Sequence, residues 1–98
     1  MIKIKVKENN NVIEEISITG HAMYNDFGKD IVCSSVSSIV ITTVNAIVRI
    51  NKDSISYTEE PFCLKIEKEN EITEKLIENM ISLLKELEEQ YPKNIKFL

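Results

Sequence analysis

The chain holds one histidine, His21, and it stands twelve residues before Cys33, the first of two cysteines. An imidazole and a thiol are the groups that nucleophilic acyl transfer requires. The imidazole takes the thiol proton, the thiolate attacks a carbonyl, and the imidazolium returns the proton to the leaving amine. Both glycines of the chain, Gly20 and Gly28, fall in the same stretch, where glycine is expected if the backbone turns sharply or takes positive φ. Asp30, three residues before Cys33, is a residue type that caps helix N-termini, which places Cys33 in a first helical turn near unpaired backbone amides. A helix N-terminus and a nearby imidazolium both favour thiolate over thiol, and the amides around Cys33 suit an oxyanion. Asp26 and Asp30 are both candidates to orient the imidazole; Asp30 is preferred. The plainer reading of the same residues is a small buried cysteine and a structural histidine.

These side chains need a scaffold, and the flanking sequence supplies one. Ile2, Ile4 and Val6 alternate with Lys3, Lys5 and Lys7, the period of a strand with one buried and one wet face. After the turn-prone Glu8, Asn9, Asn10 and Asn11, a second alternating run from Val12 to Thr19 completes a hairpin that stops at Gly20. From Asp30 to Ile50 there is neither Gly nor Pro. β-Branched residues there favour strand, but the run is too long for one, and Val32, Val36, Ile39, Val40, Thr43 and Ile47 share one helical stripe, which predicts a largely buried helix. Ile55 and Tyr57, then Phe62, Leu64 and Ile66, predict a second hairpin around Glu59, Glu60 and Pro61. Asn70 is placed to cap a second helix with the stripe Ile72, Leu76, Met80, Leu83, Leu84 and Leu87. Pro92 ends it, and Ile95 to Leu98 predicts a short edge strand. The expected fold class is α+β, a two-layer sandwich with two helices packed on one face of a mostly antiparallel sheet.

Composition narrows the function classes. With 98 residues and 43% hydrophobic content, the chain is expected to form a single domain, 1–98. A formal net charge of −4 argues against a nucleic-acid partner, because such partners are bound through Lys and Arg. No unbroken apolar run of bilayer-spanning or signal-peptide length is read, so no membrane contact and a cytoplasmic location are expected. Two cysteines cannot build a disulfide framework. Three Cys and His side chains fall short of the four ligands of a structural zinc site, and neither a metal nor a cofactor is expected. Cys63 falls on the strand face opposite Phe62 and Leu64 and is read as structural.

The motif Gly20-His21-Ala22, then Gly28-Lys29-Asp30-Ile31-Val32-Cys33, then Val36-Ser37 and Val44-Asn45-Ala46, resembles the ribosomal-processing cysteine protease (Prp) family, over the whole length and element order. The resemblance implies a cysteine endopeptidase of bacteria such as Firmicutes that removes the N-terminal extension of a large-subunit ribosomal protein. It puts the catalytic pair on His21 and Cys33, in a homodimer. It also implies a loop, Ala22 to Lys29, that closes over the substrate peptide. Gly20, Met23, Tyr24, Phe27, Gly28 and Ser34 become candidate substrate contacts. Ser34 and Ser35 stand where the family pattern leads one to expect small residues, often alanine. A reading of another class is a noncatalytic ribosome-assembly or peptide-binding module that captures an extended segment on a sheet edge; it needs neither His21 nor Cys33.

Overall fold

The computed structural model describes residues 1–20 and 31–98. In chain order the elements are β1 (Ile2–Asn9), β2 (Val12–Thr19), α1 (Ile31–Asn51), a 3-10 turn (Lys52–Ser54), β3 (Ile55–Glu59), β4 (Phe62–Ile66), α2 (Glu71–Gln90) and β5 (Ile95–Phe97). This is the order and the α+β class expected from the sequence. The strands form one mixed sheet in the order β3-β4-β2-β1-β5, antiparallel except where β5 joins β1.

The β1–β2 hairpin closes on Asn10 and Asn11, both at positive φ (54° and 66°), which asparagine tolerates and which matches the twist of paired strands. Register then aligns one apolar face across the sheet: Phe62, Ile18, Ile4 and Phe97 lie side by side, as do Leu64, Ile16 and Val6. The other face carries the lysines of β1, all exposed. Both helices therefore cover the same side.

Helix α1 buries Val32, Cys33, Val36, Val40, Thr43, Val44 and Ile47, one stripe at helical spacing. The Thr43 hydroxyl donates to the Ile39 carbonyl at 2.8 Å, so a polar group sits in the stripe without a desolvation cost. By length and composition alone the segment Ile31–Ser54 is apolar enough to cross a membrane. This corrects the expectation of no such stretch: Ser and Thr interrupt the apolar run without making it polar. In the fold, its buried stripe is committed to the core.

Helix α2 starts on Asn70, whose side chain accepts from the Thr73 amide at 3.1 Å, with Glu71 and Glu74 in the first turn, where the helix dipole favours acids. Its buried face is Thr73, Ile77, Met80, Leu84 and Leu87. The predicted stripe was displaced: Ile72 and Leu83 are exposed, at 52% and 40%. Thr73 takes the inward place because its hydroxyl donates to Ser54 Oγ at 2.9 Å, and Ser54 in turn donates to the Asn51 carbonyl. That buried chain ties the end of α1 to the start of α2.

Candidate active site

Strand β2 ends at Thr19, and Gly20 follows at φ +76°. A Cβ on Gly20 would fall on the carbonyl oxygen of Met1. Position 20 is thus restricted to glycine twice, by conformation and by space. It is the last described residue before His21.

Cys33 is the third residue of α1, in the first turn, and is buried (2% exposed). The expectation that it sits at a helix start is met. The first four amides of an α-helix lack intrahelical acceptors, and the N-terminal end carries partial positive charge. The sulfur is therefore held at the end of a helix that favours an anion. Ser34, next along the helix, is exposed. His21, Asp26, Asp30, Met23, Tyr24, Phe27 and Gly28 lie outside the described residues; in sequence Asp30 immediately precedes the first residue of α1.

One helical turn beyond Cys33, a groove of about 260 Å³ opens between α1 and the sheet. Ile18, Val40 and Phe62 line it together with Ser37, Ile41, Asn45, Tyr57 and Glu59. Ile18 stands three residues before His21 and Val36 three after Cys33, yet both line this groove. The fold thus brings the two approaches to the candidate site to one place. Val36, Ser37, Val44 and Asn45, part of the motif, also line it. The contribution of Tyr57, Glu59 and Phe62 was not read from sequence. It follows from β4 pairing with β2, which puts Phe62 opposite Ile18.

Two helices on one face of a five-stranded mixed sheet, with a cysteine in the first turn of the first helix, define a small α+β fold with a thiol at a helix start. A profile of the family described as Cysteine protease Prp matches residues 1–96, and the chain belongs to that family. The Ribosomal processing cysteine protease Prp of Staphylococcus aureus is 26% identical over 102 residues, covering 98% of this chain and 96% of that protein. Two crystal structures from S. aureus share the fold. One, an essential ribosomal processing protease Prp with a substrate peptide, has a TM-score of 0.85 at 25% identity, covering 100% of this chain and 98% of that one. The other, with a covalently linked product peptide, has a TM-score of 0.86 at 26% identity, covering 99% and 97%.

Proposed function

We propose that this chain removes the N-terminal extension of a bacterial large-subunit ribosomal protein, with Cys33 as nucleophile and His21 as general base, acting in the cytoplasm as a homodimer. The observation that carries the reading is the place of Cys33: a helix-start cysteine one turn from an apolar groove, in a family of cysteine proteases. The covalent link between the S. aureus relative and a product peptide is what nucleophilic catalysis leads one to expect.

In this reading His21 takes the thiol proton and Cys33 Sγ attacks the scissile carbonyl. Amides of the first turn of α1 stabilise the oxyanion. The C–N bond breaks, the imidazolium protonates the leaving amine, and water then hydrolyses the acyl-enzyme. Asp30 orients the imidazole. Gly20, Met23, Tyr24, Phe27, Gly28 and Ser34 contact the peptide, and the groove receives one of its apolar side chains. A cavity of this size is below the range of about 300–1,000 Å³ for drug-sized ligands, which suits a side chain rather than a whole molecule.

The test is alkylation of the thiols at a pH well below the ordinary thiol pKa of about 8.5, with the modified residue located by mass. Cys33 is expected to react faster than Cys63 and to slow markedly in the His21→Ala variant. Equal, histidine-independent rates at the two cysteines would remove the dyad and favour a binding module.

A further inference from the structure

The two edges of the sheet are finished differently. At one, β5 is only three residues long and carries Lys96, and the Phe97 amide donates to the Glu88 carboxylate of α2 at 2.7 Å. A short, charged strand with an amide taken by a helix side chain is an edge closed to further pairing. At the other, β3 pairs with β4 over all five of its residues without a register shift. Ile55, Ser56, Tyr57 and Thr58 include neither a charge nor a proline, and Ser56 to Glu59 are exposed. The Ser56 hydroxyl donates to Glu67 at 2.6 Å and the Thr58 hydroxyl to the Pro61 carbonyl at 2.9 Å, so both are held within the hairpin and its exit. Among the described residues no hydrogen bond reaches the outer side of the β3 backbone. The amides and carbonyls of alternate residues there form a template for one more strand.

This open edge leads to the thiol. Ile55 is buried, and Tyr57 and Glu59, two and four residues on, line the groove together with Ser37, Ile41 and Asn45 of α1. Register joins Glu59 through Phe62 to Ile18 at the end of β2, and Ile18 shares the groove with Val36. Strand β3 therefore runs toward Val36 and, one turn before it, Cys33. Asn45, twelve residues beyond Cys33, lies about 18 Å further along the helix, a length that an extended peptide spans in about five residues. We infer that the substrate peptide docks on β3 as an added strand, with alternate side chains entering the groove and about five residues on one side of the scissile bond paired to the edge. The inference rests on the proposed peptidase activity of Cys33. Main-chain pairing supplies affinity, and the groove supplies the selection among side chains. A peptide held in a fixed register also presents one defined bond to the thiol.

The test is a scan of backbone N-methylation along a synthetic peptide that spans the end of the N-terminal extension and the start of the mature protein. Each methyl removes one amide donor. Binding to Cys33→Ala is read by fluorescence anisotropy and cleavage by wild type through product mass. Methylation at alternate residues, among the five nearest the scissile bond on one side, should weaken binding about tenfold each, and at the residues between them hardly at all. A pattern after the scissile bond means antiparallel pairing, because β3 runs toward Cys33, and one before it means parallel pairing; either supports the inference. Losses without a period of two, or none, overturn it, which is also the result if a second copy of the chain covers the edge. Cleavage of the unmethylated peptide separates the two proposals. Cleavage without the periodic loss refutes edge pairing alone, whereas periodic loss of binding without cleavage refutes the peptidase reading and leaves the edge standing. Neither binding nor cleavage overturns both.

Discussion

Gly20→Ala strikes the junction between the scaffold and the candidate site. At φ +76° an L-residue with a Cβ costs about 1–2 kcal/mol. The methyl also meets the Met1 carbonyl oxygen, a backbone atom that cannot rotate away. Relief requires β1 to shift, yet the next residue, Ile2, is 3% exposed in the core, and its amide donates to the Asn94 carbonyl at 2.8 Å. Overpacking of this sort costs on the order of 1–3 kcal/mol, so the total is about 2–5 kcal/mol. For a domain of this size each kcal/mol lowers Tm by about 4–8 °C, and thermal denaturation followed by circular dichroism should show a drop of at least about 8 °C. Thr19→Ala, one residue earlier and exposed, is the control, expected within about 0.5 kcal/mol of wild type. A Gly20→Ala protein that melts with the control refutes both the strain and the close approach.

Two further substitutions probe the site. Asp30→Ala should lower stability by about 0.5–2 kcal/mol if Asp30 caps α1 and should also lower peptidase turnover; unchanged melting counts against the cap. Ile41 is 58% exposed on the lip of the groove, so Ile41→Asp should leave Tm nearly unchanged while raising KM for the substrate peptide about tenfold, equivalent to about 1.4 kcal/mol. An unaltered KM takes the groove out of substrate binding.

The strands and helices were legible because their apolar residues keep a strict period. Ile2, Ile4 and Val6 alternate with lysines, and Val32, Val36, Val40 and Ile47 recur along α1; in both cases one face is buried as the pattern requires. Helix α2 shows where such reading stops. Ile72 and Leu83 are apolar and exposed, while Thr73 is polar and buried. What turns the helix is the Thr73–Ser54 hydrogen bond, a partnership across 19 residues that no local pattern reveals. Cys33 was placed correctly at a helix start from an aspartate three residues upstream. The groove beside it was only half legible, because Val36, Ser37, Val44 and Asn45 of its α1 side lie within the motif whereas Tyr57, Glu59 and Phe62 arrive through strand pairing. On the open face, Lys3, Lys5 and Lys7 were legible from their alternation, whereas Lys96, at the opposite end of the chain, joins them only in the β1–β5 register.

The central claim is that Cys33 cuts a peptide bond in a ribosomal protein precursor. The most direct measurement incubates wild type and Cys33→Ala with a large-subunit precursor that carries its N-terminal extension and follows product mass. The account predicts loss of one defined N-terminal segment with wild type, and an intact precursor that still binds the Cys33→Ala protein. Turnover retained without the Cys33 thiol, or an intact precursor that both proteins bind and neither cuts, would contradict it.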